Sequence, residues 1–135
     1  MSQDRNIQLR KRMIVIINLL VASIHLITGK KYQGPFPRFV NGYLIDILLP
    51  FCLYFLLCLV DYFNNQPWYF KALLVLLVAF LVETAQYLDY SILGSAYDPV
   101  DYIAYTFGVA LAILCDQLLF SHLFSFWREC PSDDK

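Results

Sequence analysis

Charged side chains are scarce in this chain. Only 16% of its 135 residues are Asp, Glu, Lys or Arg, whereas 59% are hydrophobic and the mean hydropathy is +0.55. Because a soluble domain usually carries about a quarter charged residues, a water-surrounded globular domain fits this composition poorly. The formal net charge is −1, and the sequence has no basic stripe that would neutralise phosphates. We therefore expect no nucleic-acid partner.

The sequence also lacks the common motifs of catalytic and metal sites. Its four cysteines include no Cys-x-x-Cys pair, and Cys52, Cys58 and Cys115 lie inside apolar runs, where cysteine behaves as a small hydrophobic residue. There is no Ser or Cys nucleophile with a paired base, no His-Glu-x-x-His motif and no glycine-rich phosphate loop. We expect no disulfide, no metal site and no cofactor, and the pattern leans away from an enzyme.

What the chain does contain is a series of long apolar runs. Since about 20 apolar residues cross a bilayer, we predict membrane-spanning helices over about 13–29, 40–60, 68–87 and 99–124. The predicted fold is all-α, a polytopic membrane protein in which a bundle of four transmembrane helices forms a single domain over residues 1–135. The first run is followed by no small-residue cleavage site, so we interpret it as a retained helix and not as a signal peptide.

Lysine and arginine are unequally divided between the two sides of this predicted bundle. Three lie on the side opposite the termini, at Lys30, Lys31 and Arg38. Seven lie on the side of the termini, at Arg5, Arg10, Lys11, Arg12, Lys71, Arg128 and Lys135. Because cytoplasmic loops carry the excess of positive charge, we predict that both the N-terminus and the C-terminus are cytoplasmic.

Acidic residues inside apolar helices are the main candidates for a functional site. Asp46 lies in the second predicted span, Glu83 lies near the end of the third, and Asp98 and Asp101 open the fourth. An acid inside a span costs about 2.5 kcal/mol or more on insertion scales, so its presence indicates a function by default. With both termini cytoplasmic, these acids lie in the outer part of the bundle, where His25 and several tyrosines lie as well.

We therefore predict an outward-facing acidic pocket that binds a ligand. Its predicted ligand-binding residues are His25, Asp46, Glu83, Gln86, Asp98, Asp101 and Tyr105. Clustered acids in a medium of low dielectric cannot all ionise unless a cation or hydrogen-bond donors lie nearby. No Arg is predicted inside the pocket, and Lys30, Lys31 and Arg38 are close enough in the sequence to reach over it.

Structural interpretations of the same residues stay open. The segment Asp98-Pro99-Val100-Asp101 is typical of a helix start, with Asp at the N-cap, Pro at the first position and an acid in the first turn. His25 and Gln86 are also compatible with hydrogen-bonded interior side chains. A second group of polar residues lies near the end of the fourth span. We interpret it as anchoring this end of the helix, and Asp116 is a candidate contact to a partner protein. This group contains Asp116, Ser121, His122 and Arg128.

A family resemblance follows from the order of these residues. The pattern is G-Y-L-I-D-I-L-L-P at 42–50, then Glu83-x-x-Gln86, Asp98-x-x-Asp101 and Gly108. It resembles the VanZ-like family of small bacterial membrane proteins over about residues 40–112. The resemblance implies a multi-pass protein of the bacterial plasma membrane and a link to glycopeptide (teicoplanin) resistance, with no established enzymatic activity or cofactor. Tyr105 stands where these proteins typically carry Asn, which places the chain in a divergent branch.

The sequence is compatible with three functions of different classes. The first is non-catalytic binding of a cationic or polyol ligand, such as a lipid headgroup, a cell-wall precursor or a glycopeptide, by a protein that resides in the lipid bilayer. The second is a metal-dependent enzyme acting on a lipid-linked substrate through the four acids of the pocket. The third is a small proton-coupled carrier with His25 and Glu83 as its relay, for which a homodimer would supply the second half.

Overall fold

Every regular element of the described chain is a helix. The computed structural model describes residues 2–29, 32–88 and 97–128. The elements are α1 (Ser2–Ile27), α2 (Pro37–Gly42), α3 (Leu44–Leu57), α4 (Asp61–Asn64), α5 (Trp68–Tyr87), α6 (Asp101–Leu114), a π-helical segment (Cys115–Phe120), α7 (Ser121–Leu123) and α8 (Ser125–Arg128). The predicted all-α class is confirmed.

Two of these helices are long and apolar enough to cross a membrane. They are Trp68–Tyr87 and the continuous helix Asp101–Leu123. In their most apolar windows only 22% and 33% of the residues are buried, respectively. The outer surface of α5 is consequently apolar, as shown by exposed Leu73, Leu77 and Leu81. Water-soluble monomers rarely expose contiguous apolar surfaces of this kind.

The other helix boundaries differ from the predicted spans. Helix α1 extends back to Ser2 because the residues before 13 include good helix formers such as Gln, Arg, Lys and Leu. The second predicted span is divided at Tyr43, whose backbone angles (φ −120, ψ −18) are not helical, directly after a glycine of low helix propensity. Helix α3 then ends at Leu57, and a short helix, Asp61–Asn64, lies between the second and third predicted spans.

Helix α3 is the centre of the bundle and packs against α1, α5 and α6. Its closest approach is to α6 at Gly108. A Cβ atom added to Gly108 would lie 2.9 Å from Pro50 Cγ and would collide with the carbonyl oxygen of Ile47. The adjacent small residues Ala104 and Ala112 are buried on the same face of α6. These small side chains allow the two backbones to come together.

The hydrophobic core occupies one end of the bundle. It is formed by the second half of α3, the first half of α5, the second half of α6, and Ile14 and Trp127. Its largest fully buried side chains are aromatic, Tyr54 and Phe55. Because the core lies at this end, the opposite end, where the acids of α3, α5 and α6 lie, is packed less completely.

Candidate functional site

The predicted polar residues lie around one cavity. It has a volume of about 850 Å³ and is lined by residues of α1, α2, α3, α5 and α6. This size is within the range of about 300–1,000 Å³ that is typical of small-molecule sites. Six of the seven predicted residues line it, namely His25, Asp46, Gln86, Asp98, Asp101 and Tyr105. The structure therefore brings together, at one end of the bundle, residues from four helices and the segment before α6.

Glu83 is the predicted residue that does not line the cavity. Its side chain is completely buried, with 0% exposure, and faces α6. Its Oε1 atom accepts a hydrogen bond from the backbone N–H of Asp98 at 3.0 Å, and its Oε2 atom accepts one from the Tyr105 hydroxyl at 3.1 Å. Glu83 therefore joins α5 to the segment that enters α6 and holds Asp98 and Tyr105 in place beside the cavity.

Asp98 organises the start of α6. Its Oδ1 atom accepts a hydrogen bond from the backbone N–H of Val100 at 2.9 Å, and its carbonyl oxygen accepts one from the N–H of Asp101 at 3.0 Å. The regular helix begins at Asp101, two residues later than the predicted span, and its N-cap residue is Val100. Asp98 therefore closes the turn before α6 and is not the N-cap that the sequence pattern indicated, and it also lines the cavity.

Asp46 and Asp101 differ from the other acids in their contacts. Asp101 is only 7% exposed and Asp46 is half-buried, and both line the cavity. Their carboxylates are close enough to each other, and to Glu83 and Asp98, to interact by charge. Across the described ranges 2–29, 32–88 and 97–128, neither side chain has a hydrogen-bond donor or a cation as its partner. Burial of a carboxylate without a partner is costly, so this arrangement favours a ligand that brings positive charge.

One cation lines the cavity although the sequence did not predict it there. Arg38, which was expected only to reach over the pocket, is a lining residue on the short helix α2. Within the described part of the chain it forms no salt bridge with the acids of the cavity. Asn41 and Tyr43 from the same part of the chain also line the cavity. Lys30 and Lys31, the other two predicted cations, lie outside the described residues. The sequence did indicate this position, because Arg38 lies eight residues before Asp46 in the segment that leads into the same helix.

The inner half of the cavity is apolar. Going along α3 from Asp46, the next lining residues are leucines and a proline as far as Leu53. On α5 the lining residues change from Gln86 to Val82, Ala79 and Val78. At 1.5 Å of rise per residue, this apolar part extends about 8 Å along α3, from Leu48 to Leu53. The cavity is therefore polar at one end and apolar at the other.

A second buried polar cluster lies at the opposite end of the bundle, around Asp116. This acid is 2% exposed and belongs to the π-helical segment. Its Oδ2 atom accepts hydrogen bonds from the Tyr54 hydroxyl at 2.7 Å and from Gln117 Nε2 at 2.9 Å, and its Oδ1 atom accepts one from Trp127 Nε1 at 2.9 Å. Arg10 of α1 lies 3.5 Å from Oδ1, and its guanidinium stacks over the Trp127 ring at 4.9 Å.

The cluster around Asp116 corrects the sequence interpretation of this region. Asp116 is enclosed by residues of its own chain and is not available to a partner. Ser121 and His122 do not join it, because they bond to backbone carbonyls of their own helix, at Gln117 and Leu118 respectively. The side chain of Arg128 lies outside the described residues. The predicted topology could have indicated the pairing of Arg10 with Asp116, because it places both residues at the same side of the membrane.

Among the side chains that the structure describes, no three of His, Cys, Asp and Glu are grouped so that they could hold one metal ion. No protein-family model, curated protein or solved structure matches the chain.

Proposed function

We propose that this protein is a membrane-embedded, non-catalytic binding protein whose cavity takes the cationic group of a ligand. The observation that supports this proposal is a pair of carboxylates, Asp46 and Asp101, that line one cavity and have no hydrogen-bond donor or cation as a partner among the described residues. A bound ammonium or guanidinium group would supply the missing counter-charge and hydrogen bonds. The Glu83 contacts and the packing of Gly108 keep α3, α5 and α6 together, so the two acids are held in place before a ligand arrives.

The proposed topology is a four-helix membrane bundle in a bacterial plasma membrane, with both termini in the cytoplasm. Helices α5 and α6–α7 have the required length and composition, and α1 and α2–α3 would supply the remaining spans. The orientation is supported by the seven Lys and Arg residues on the side of the termini against three on the other side. In this orientation the cavity opens toward the outside of the cell.

The proposed ligands are molecules met at that outer surface, namely a lipid headgroup, a cell-wall precursor or a glycopeptide. The VanZ-like order of acidic residues supports a role in the cell envelope, including resistance to glycopeptide-type antibiotics. Binding alone is sufficient for such a role.

The experiment is a binding measurement on the purified protein with dodecylamine, a single-chain amine that tests the cationic site alone. We expect Asp101→Asn to weaken binding about tenfold or more, since a hydrogen bond to a charged group contributes about 1.5–3 kcal/mol and 1.4 kcal/mol is a factor of ten. The matched control is Asp61→Asn, which changes an exposed acid that pairs with Lys11 outside the cavity. Equal affinity of the wild type and both variants for dodecylamine would contradict the proposal.

A further inference from the structure

We propose that the occupant of the cavity is an aminophospholipid, a molecule that joins an amine, a phosphate and an acyl chain. This inference rests on the proposed binding function and specifies its ligand. The amine would pair with Asp46 and Asp101, the phosphate with Arg38, and the chain would lie along the apolar half of the cavity.

The first argument is the separation of charge within the cavity. Its polar end holds acids on α3 and α6 and a guanidinium on α2, and within the described ranges no salt bridge joins Arg38 to these acids. Both signs of charge are thus left available to a ligand. A zwitterionic headgroup complements this arrangement, because it brings a cation for the carboxylates and an anion for the guanidinium, which binds phosphate oxygens well.

The second argument is the apolar half. The lining of this half consists of Leu48, Leu49, Pro50 and Leu53 on α3 and of Val78, Ala79 and Val82 on α5, which offer few polar atoms. A hydrocarbon chain placed there packs against this lining through many dispersion contacts. A headgroup without a chain would leave the same lining without these contacts.

These two features together distinguish the aminophospholipid from simpler ligands. A single-chain amine leaves Arg38 without an anion. An anionic phospholipid places a phosphate in the cavity but supplies no cation for Asp46 and Asp101. The zwitterionic lipid is the ligand that satisfies both ends of the polar region and the apolar half at once.

The test compares four probes on the purified full-length protein by native mass spectrometry. Lysophosphatidylethanolamine carries all three groups, dodecylamine lacks the phosphate, lysophosphatidylglycerol lacks the amine, and glycerophosphoethanolamine lacks the chain. The variant is Arg38→Gln, and the matched control is Arg5→Gln, which removes an exposed cation on α1 outside the cavity.

We expect lysophosphatidylethanolamine to bind most tightly. Arg38→Gln should weaken it about tenfold and should not weaken the binding of dodecylamine, because the guanidinium attracts the phosphate and repels an amine. Arg5→Gln should change neither affinity. The inference is overturned if Arg38→Gln changes both affinities equally or neither, or if lysophosphatidylglycerol or glycerophosphoethanolamine binds as tightly as the zwitterionic lipid. In those cases Asp101-dependent binding of dodecylamine would still support the proposed function, whereas its loss would remove both.

Discussion

Replacing Gly108 by alanine tests the contact that joins the two helices carrying Asp46 and Asp101. A methyl group at this position would collide with the Ile47 carbonyl oxygen and come within 2.9 Å of Pro50 Cγ. The obstacle is mainly backbone, which cannot rotate out of the way as a side chain can. Helix α3 must therefore move away from α6, and Asp46 moves with it relative to Asp101.

The expected magnitude is the difference between two opposing effects. Alanine is favoured over glycine inside a helix by about 1 kcal/mol. Overpacking a close contact costs about 1–3 kcal/mol and occasionally more, and a rigid backbone oxygen places this site at the upper end. We expect Gly108→Ala to lower the free energy of unfolding by about 2 kcal/mol and to weaken dodecylamine binding.

Gly42→Ala is the matched control. A Cβ atom at Gly42 meets no heavy atom within 4 Å, so the same chemical change occurs in open space. We expect it to leave stability unchanged or to raise it by up to about 1 kcal/mol, because alanine restricts the unfolded chain. The assay is unfolding in mixtures of a mild detergent and dodecyl sulfate, followed by circular dichroism. If Gly108→Ala unfolds at the same dodecyl sulfate fraction as the wild type, the described contact between α3 and α6 is wrong.

Two further predictions concern the buried polar groups. Asp116→Ala should lower the free energy of unfolding by about 3–5 kcal/mol, because it removes the buried carboxylate that accepts hydrogen bonds from Tyr54 and Trp127 and pairs with Arg10. Asp61→Ala, at an exposed pair, should cost less than about 1 kcal/mol. Similar losses in the same unfolding assay would refute the buried pair. Tyr105→Phe removes the hydroxyl that donates to the fully buried Glu83 carboxylate and should lower the free energy of unfolding by about 1–3 kcal/mol. Tyr102→Phe removes only a 3.3 Å contact to the exposed Thr84 and should change the free energy of unfolding by less than about 0.5 kcal/mol. Both variants are compared with the wild type in thermal melts. Equal melting temperatures for the two tyrosine variants would show that this buried hydrogen bond contributes nothing.

The amino-acid sequence by itself determined the class of the fold and six of the residues that line the cavity, including all of its acids. Long apolar runs with a helical period and few breakers specify helices, whatever their neighbours are. Acids placed in or beside such runs are rare enough to be conspicuous, which is why Asp46 and Asp101 were identified without coordinates. The membrane topology predicted from Lys and Arg then placed these acids at one level, and the structure brings them to one cavity.

Tertiary structure alone decided how each polar side chain is used. Glu83 and Asp101 are both acids at helix ends in the sequence. Both carboxylate oxygens of Glu83 accept hydrogen bonds behind the cavity, whereas Asp101 lines it with no side-chain partner in the part of the chain that the structure describes. Asp116 meets Arg10 from the other end of the chain. Such outcomes depend on the rotation and separation of packed helices, which are set by close contacts such as Gly108 on Ile47. Local sequence patterns fix the period of a helix but not the partner that its polar face meets.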